Sequence, residues 1–379
     1  MFTFTVNQPV LKSALADVVG VLEKKSTIPC LGFIKIKAVG EKTIQITGTD
    51  LDQSISVSCE TLSQTEGVVC VDGRKFFDAV RLMDASAEIS ASAETNNRLT
   101  LKQKKSTYRF AVLDEDKFPE TPEPPTKPQS ISAHLLEYFI THTRFAITND
   151  SSRFTLSGAK LEITKETILM VATDGHRLAL CQRPNSSQTP DLNVLIPQKA
   201  LTEIVKLIRS RKPADIGICV TANHFFVQIE DSVLLSTRLL TGTFPNYEMA
   251  IPKHLESEVT FDGNQLKKAI QRVALMADTR TQSVKVAVED NTLQVSSISA
   301  EEGEASDVLD ATQNGKNVVL AFNQKYLTDA IMMDIFAEGE EAKPIPDTPD
   351  ILTLKYTDQL TQVIITNPTD DFLVVIMPL

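Results

Sequence analysis

The stretch Val171-Ala-Thr-Asp-Gly-His-Arg-Leu-Ala-Leu180 has the pattern of a tight β-hairpin. An apolar run at residues 168–171 meets the polar turn Thr173-Asp174-Gly175, and a second apolar run follows at residues 178–180. A short Asp-Gly turn between two apolar runs is a strong local signal for two antiparallel strands. We therefore expect a hairpin here, and its copies elsewhere in the chain indicate the architecture.

The hairpin pattern recurs at regular distances along the 379-residue chain. It occurs earlier at residues 44–57 and, in a weaker form, at residues 293–309. Asp50 and Asp174 are 124 residues apart, and so are Val171 and Val295. Each third also opens with a short strand and a segment of helical periodicity, and has a second strand–helix pair midway. These repeats predict three copies of one unit with two amphipathic helices and many strands.

Proline-rich segments indicate the boundaries between the three units. Five prolines lie between Pro119 and Pro128, and a second such segment runs from Phe244-Pro245 to Pro252. We therefore expect domains at residues 1–128, 129–254 and 255–379. Strand-rich units with few helices predict the α+β class, with helices on one face of antiparallel sheet. The helical windows are residues 7–25, 73–84, 132–146, 198–212, 264–280 and 323–334.

Composition is that of an ordinary globular protein, with 42% hydrophobic and 23% charged residues. No apolar run approaches the roughly 20 residues that a membrane-spanning helix needs, and the chain opens on an alternating strand without a basic leader. The cysteines are odd in number and show no CxxC spacing, which favours reduced thiols and a cytoplasmic protein. They are Cys30, Cys59, Cys70, Cys181 and Cys219.

The net charge of −11 argues by itself against a nucleic-acid partner, but the charge is unevenly distributed. The six helical windows hold seventeen basic and nine acidic residues, a net +8, so the rest of the chain carries −19. One interpretation is that these lysines and arginines merely cover solvated helix faces. The segregation by element favours another, a basic helical lining that faces phosphates without reading bases.

Six segments of the chain carry a resemblance to a known family: Thr27-Ile-Pro-Cys-Leu31, Gly48-Thr-Asp-Leu51, Arg74-Lys-Phe-Phe-Asp78, Ala172-Thr-Asp-Gly-His-Arg-Leu-Ala179, Phe244-Pro-Asn-Tyr247 and Val375-Ile-Met-Pro378. With these segments, and over its whole length, the chain resembles the bacterial DNA polymerase III beta subunits, the family of sliding clamps. This resemblance implies two subunits joined head to tail in a ring of six repeated DNA-clamp domains, whose twelve helices line a hole around double-stranded DNA. It also implies a homodimer without catalysis or cofactor, opened by a clamp loader. The ring would tether the replicative polymerase alpha subunit, other polymerases and repair proteins with clamp-binding motifs.

The resemblance assigns three sets of residues. The groove for partner peptides would comprise Leu156, Thr173, Gly175, His176, Arg177, Leu178, Pro245, Met249, Val375, Ile376, Met377, Pro378 and Leu379. The DNA-facing set would be Lys25, Arg74, Lys199, Lys206, Arg209, Lys267, Lys268 and Arg272. The dimer interface would pair Tyr108 and Phe110 with Leu275 and Met276.

Two positions depart from the family pattern at the mouth of the groove. Met249 stands where relatives often carry a basic residue, and the sequence stops at Leu379 where relatives usually run on with an Arg or similar residue. We therefore expect a groove with a different partner preference. Ordinary edge-strand packing is the alternative interpretation of the same residues.

Catalysis finds little support in the sequence. There is no GxxxxGK[ST], no HExxH and no Cys/His set at zinc spacing. His176 lies near Asp174, but adjacent hairpin positions rarely converge on one substrate, so we expect no enzyme and no metal site. The remaining alternative to a processivity clamp is a monomeric scaffold of the same fold that binds peptides without encircling DNA.

Overall fold

The computed structural model describes residues 2–379 except 24–27, 95–96, 126–127, 151, 186–190, 333–349 and 369–370. The described residues form six α-helices and two large antiparallel sheets. By its internal contacts the chain divides into two compact units. Unit 1 comprises Met1–Leu135 with Thr202–Leu239, and unit 2 comprises Leu136–Leu201 with Leu240–Leu379.

The strands are numbered in chain order. They are β1 Thr3–Asn7, β2 Phe33–Ala38, β3 Thr43–Thr49, β4 Gln53–Glu60, β5 Ser63–Gln64, β6 Val68–Asp72, β7 Glu88–Glu94, β8 Arg98–Gln103, β9 Ser106–Leu113, β10 Gln129–Ser132, β11 Gly158–Ile163, β12 Thr167–Thr173, β13 Arg177–Pro184, β14 Leu192–Pro197, β15 Asp215–Val220, β16 His224–Ile229, β17 Val233–Arg238, β18 Ser257–Asp262, β19 Ser283–Glu289, β20 Thr292–Ser299, β21 Gly303–Asn314, β22 Val318–Asn323, β23 Ile351–Tyr356, β24 Val363–Thr366 and β25 Phe372–Ile376.

All three predicted hairpins are present. The strands β3 and β4 pair at residues 43–60, β12 and β13 at residues 167–184, and β20 and β21 at residues 292–310. The expected alternation, with every second side chain buried in the core, is present in strands such as β1 and β19, whereas β12 is buried along nearly its whole length. The repeated sequence pattern therefore corresponds to a repeated structural element.

Each sheet contains strands from two of the three sequence repeats. The 13-stranded sheet has the order β10-β15-β16-β17-β4-β3-β2-β6-β9-β8-β7-β1-β5, and the 12-stranded sheet β14-β11-β12-β13-β25-β24-β23-β18-β21-β20-β19-β22. The two linking contacts are β17 with β4 and β13 with β25. The boundary at residues 128/129 immediately precedes β10 and that at 254/255 lies outside helices and strands, but the division at those residues stays a prediction.

Each predicted helical window contains a helix, and most windows are longer than the α-helix itself. The helix α1 ends at Val19, and in the third and fifth windows a 3₁₀ turn, Arg144–Ala146 or Ala274–Met276, follows the α-helix. Helix starts are capped where the sequence offers a carboxylate, since Asp72 accepts a bond from the Lys75 amide at 3.0 Å. The helices are α1 Gln8–Val19, α2 Gly73–Arg81, α3 Ala133–Thr143, α4 Gln198–Arg211, α5 Gly263–Val273 and α6 Gln324–Met332.

All five cysteines are free thiols, as the spacing predicted, and four of them are buried. Burial raises the pKa of the Cys59 thiol to about 12 and that of Cys70 to about 11. Both are therefore protonated at neutral pH and act as small apolar core residues. Among the described residues no helix is long and apolar enough to cross a membrane.

Candidate functional site

The turn at residues 173–178, called here the Asp174 turn, is held by its own side chains. Asp174 Oδ1 accepts hydrogen bonds from the amides of His176 at 2.9 Å and Arg177 at 3.0 Å. Thr173 Oγ1 donates to the Arg177 carbonyl at 2.7 Å and accepts from the Gly175 amide at 3.1 Å. Gly175 has φ +86°, a conformation that glycine adopts without strain. The turn is thus rigid, with Gly175 and His176 exposed at its tip.

Arg177 anchors the Asp174 turn rather than lining a groove edge. Its side chain is only 6% exposed, and it bonds Asp174 Oδ2 at 3.0 Å, Asp329 Oδ2 at 2.6 Å and the Phe145 carbonyl at 2.5 Å. The guanidinium also stacks 4.5 Å from the Tyr326 ring centroid. Arg177 therefore joins the turn to helix α6, where burial raises the pKa of Asp329 and the bond to Arg177 opposes that rise.

An apolar cluster lies beside the Asp174 turn on one face of the sheet. Cross-strand register places Val171 opposite Leu180, Leu178 opposite Val375 and Leu180 opposite Leu373. Because side chains alternate along a strand, these residues share one face. The buried members are Leu169, Val171, Leu178, Ile364 and Val375, and against them pack the half-buried side chains of Leu180, Phe244, Tyr247, Ile251, Leu255 and Leu373.

The last residues of the chain lie next to the turn. The Met377 amide donates to the His176 carbonyl at 3.1 Å, and the Leu379 amide donates to the Ala321 carbonyl at 2.8 Å. Their backbones are therefore fixed, while the side chains of Met377 and Leu379 remain exposed. An exposed apolar pair beside a buried apolar face is the arrangement expected of a peptide groove.

The sequence-predicted groove residues differ in how far they are exposed. Seven of them are exposed or half-buried: Gly175, His176, Pro245, Met249, Met377, Pro378 and Leu379. Six are buried, and of these Leu178 and Val375 belong to the apolar cluster: Leu156, Thr173, Arg177, Leu178, Val375 and Ile376. Met249 is 84% exposed, so its side chain is accessible to solvent.

Sequence reasoning missed the residues that support the turn from outside its own strand pair. Tyr326 and Asp329 hold Arg177 from helix α6, and Arg153 donates to the Asp174 carbonyl. Nothing in the local sequence signals the Asp329 contact, since it spans 152 positions. The apolar runs at residues 168–171 and 178–180 did carry a signal for Leu169 and Val171.

The predicted DNA-facing residues differ in how far they are already paired. Lys199 and Lys206 are exposed on α4, and Lys206 forms an ion pair with Glu203 at 3.2 Å. Arg74 donates to the Leu22 carbonyl, and Arg272 Nε bonds Asp307 Oδ2 at 2.6 Å. Arg209, Lys267 and Lys268 are half-buried on α4 and α5, and Lys25 lies outside the described residues.

The predicted interface residues lie next to open strand edges. Tyr108 and Phe110 lie on β9, where residues 106–111 pair only with β8 in the described part of the chain. Leu275, 75% exposed, and Met276 lie in a 3₁₀ turn that contacts β21, whose residues 303–310 pair only with β20 within the described ranges. Unpaired strand edges are available to a second chain.

Comparison with known proteins gives consistent similarities. Models of the DNA polymerase III beta subunit match in order: the N-terminal domain at residues 2–122, the central domain at 130–246 and the C-terminal domain at 248–338. The beta sliding clamp of Escherichia coli (strain K12) is 28% identical over 334 residues, covering 86% of this chain and 89% of the relative. That of Haemophilus influenzae is 27% identical over 331 residues, with the same coverage.

A solved structure extends the similarity to the full chain. The crystal structure of a sliding clamp (DNA polymerase III subunit beta) from Pseudomonas aeruginosa bound to griselimycin has a TM-score of 0.89 and 26% sequence identity. The similarity covers 100% of this chain and 99% of that one. The fold described above is therefore shared along the whole length.

Proposed function

Because the chain belongs to the family of bacterial DNA polymerase III beta subunits, the sliding clamps, we propose that it holds partner peptides at the Asp174 turn and encircles DNA as a dimer. The protein is a DNA polymerase processivity factor, a non-catalytic subunit. DNA and the polymerase are its partners. It would act in the cytoplasm, which agrees with the expectation from its cysteines.

The observation that supports a peptide site is the apolar cluster between the Asp174 turn and strand β25. Its floor is formed by Leu178 and Val375, and exposed Met377 and Leu379 lie beside it. A short peptide with a Gln and aliphatic or aromatic residues would bury its apolar side chains there. The peptides that bind there would be the clamp-binding motifs of the replicative polymerase alpha subunit, the clamp loader, other polymerases and repair proteins.

Two open edges of opposite charge support the dimer. Around β8 and β9 the residues Arg98, Lys102, Lys105 and Arg109 are basic, whereas around β20 and β21 the residues Glu301, Glu302, Glu304 and Asp310 are acidic. An antiparallel pairing of β9 with β21 of a second copy would join opposite charges and cover Tyr108, Phe110, Leu275 and Met276. Such a contact is heterologous, and two copies of it would close a ring if the rotation that relates the two chains is a half-turn.

The native mass and the retention on DNA test the ring together. We expect the intact protein to be a dimer by light scattering and, once loaded by a clamp loader, to stay on circular DNA but to leave linearised DNA. Leu275→Asp with Met276→Asp should give monomers that stay neither on circular DNA nor on linearised DNA. Leu360→Asp is the matched control, because Leu360 is 89% exposed and has no assigned role.

The same assay tests the basic helices and the alternative. Changing Lys199 and Lys206 to Gln should lower retention on circular DNA and weaken its dependence on salt, without any sequence preference. Lys37 and Lys42, which are exposed outside the helices, provide the control pair. A monomeric native protein that still binds the peptide would favour the non-encircling scaffold instead.

A further inference from the structure

A second opening lies on the same sheet face as the apolar cluster. It is a cavity of about 540 Å³ whose lining includes Thr167 and Pro184, which pair at the end of the β12–β13 hairpin opposite the Asp174 turn. Leu180, Leu373 and Ile251 also line it. These three residues pack against the cluster that forms the floor beside the turn, so the cavity and the proposed groove share one apolar layer.

The distance between the two openings suits a single extended peptide. Leu178, Leu180 and Gln182 alternate along β13 and point to the same face. Two residues of strand span about 7 Å, so the cavity begins roughly that far from the Asp174 turn, at Leu180. A partner peptide bound at the turn would reach it with about two or three extended residues of its flank, and a flank of about five residues would extend into it.

The charges at the cavity are unequal. Glu166 and Glu248 line it and are exposed, and neither has an ion pair within the described ranges. Arg183, the basic residue of the lining, pairs with Asp371 and stacks 5.3 Å from the Tyr138 ring centroid. Because the Arg183 charge is already compensated by Asp371, the accessible rim is negative.

We propose that this cavity is an accessory subsite that binds the flank of a partner peptide. An apolar side chain of the flank would lie against Leu180 and Leu373, and a neighbouring Lys or Arg would face Glu166 and Glu248. The inference rests on the proposed peptide site, and it adds a means of ranking partners by the residues outside their motif. Partners with a basic–apolar flank would bind more tightly than partners with an acidic one.

Fluorescence anisotropy with three kinds of peptide tests the subsite. The first carries the Gln-plus-apolar motif alone, the second adds a five-residue flank ending in Leu-Lys, and the third ends in Leu-Glu; each flank is made at either end. We expect one Leu-Lys flank to strengthen binding about five- to tenfold through apolar burial and a partly exposed charge pair. The Leu-Glu flank should give less than half of that gain.

Two variants of the protein isolate the cavity from the groove. Glu166→Gln with Glu248→Gln should remove most of the advantage of Lys over Glu, and Gln182→Trp should fill the cavity and remove the gain from either flank. Both should leave the affinity for the motif alone unchanged. A flank that adds nothing, or a gain that survives both variants, would overturn the subsite alone. A motif peptide that does not bind at all would overturn the groove, and the subsite with it.

Discussion

The Asp174 turn and the turn at residues 49–54, called here the Asp50 turn, share the same hydrogen bonds. Asp50 Oδ1 accepts from the amides of Asp52 and Gln53, as Asp174 Oδ1 does from residues 176 and 177. Thr49 Oγ1 donates to the Gln53 carbonyl at 2.9 Å, as Thr173 Oγ1 does to residue 177. Each turn also leads into a strand that pairs with a strand of another repeat: β4 pairs with β17, and β13 pairs with β25.

The two turns differ in the sheet face that follows them. After the Asp50 turn the face carries hydroxyls that bond each other, Ser54 to Ser236 at 2.7 Å and Thr47 to Ser56 at 2.9 Å. After the Asp174 turn the corresponding positions hold leucine and valine. A face whose polar groups are already paired gains little by being covered, whereas an apolar face gains about 25 cal/mol per Å². One repeated turn thus supports two different faces, and only the second is suited to a peptide.

The buried side chain at the end of each turn differs in the same way. Gln53 is buried, and its side-chain amide has no hydrogen-bond partner among the described residues. Its counterpart Arg177 bonds Asp174, Asp329 and the Phe145 carbonyl. The Asp174 turn is therefore tied to a neighbouring helix, which keeps the groove edge in place before any peptide arrives.

The largest effect should come from giving the Asp174 face the pattern of the Asp50 face. We expect Leu178→Ser with Leu180→Ser to weaken peptide binding at least a hundredfold, because the floor loses its apolar surface. The free energy of unfolding should fall by about 3 kcal/mol or more, since Leu178 is fully buried. Peptide titration and urea unfolding measure the two quantities.

A control on the other face separates the two consequences. Ser54→Ala with Ser236→Ala removes both partners of one hydroxyl pair, so it should be nearly neutral for stability. It should not change peptide affinity. If this pair weakens peptide binding as much as the leucine pair does, the difference between the two faces does not decide where peptides bind.

The next largest effect concerns the tie between the Asp174 turn and α6. Arg177→Gln copies the residue of the Asp50 turn and leaves Asp329 buried without its cation, which should cost about 3 kcal/mol. Since burial already holds the pKa of Asp329 above its usual value, the folded state binds more protons than the unfolded state. Stability from this group is therefore greatest at low pH and falls as the pH rises through the pKa of Asp329.

Urea unfolding of the Arg177→Gln protein at several pH values between 3 and 8 tests the direction of this pH dependence. We expect the deficit relative to the unchanged protein to grow as the pH rises. Adding Asp329→Asn should recover part of the stability at neutral pH, because no uncompensated charge is then buried. A deficit that is the same at all pH values would mean that Asp329 is not the group left unpaired.

The hairpins could be predicted from the sequence because their signals are local. The alternation of residues 168–171 and 178–180 and the Asp-Gly turn lie within a few positions, and their recurrence at 124 residues identified the repeats. The Arg177–Asp329 pair could not be predicted, because its partners are 152 positions apart and helix α6 shows no unusual pattern. Likewise, the pairing of Leu178 with Val375 depends on which strands become neighbours, which periodicity does not determine.

The last three residues, 377–379, lie beside the Asp174 turn and have no counterpart at the Asp50 turn. Deleting residues 377–379 removes exposed Met377 and Leu379 and the bond from the Met377 amide to the His176 carbonyl. We expect a loss of about 2 kcal/mol in peptide affinity, roughly thirtyfold. The dimer mass should be unchanged, which light scattering checks. A truncated dimer that binds the peptide as tightly as the intact one would place the groove elsewhere.

The smallest effect should come from the turn tip, where Leu51 and Gly175 occupy equivalent positions with φ +79° and +86°. Gly175→Leu should cost about 1 kcal/mol in stability, because a side chain at positive φ is strained. A Cβ at this position would also lie 3.1 Å from an Arg153 nitrogen, so that flexible side chain has to move.

Because the added leucine projects at the groove edge, peptide affinity should fall several-fold even though the Asp50 turn tolerates the same residue. The converse Leu51→Gly should leave peptide affinity unchanged, and calorimetry on both variants with the motif peptide compares them. Equal affinities in the two variants would show that the backbone at Gly175 is not approached by the peptide.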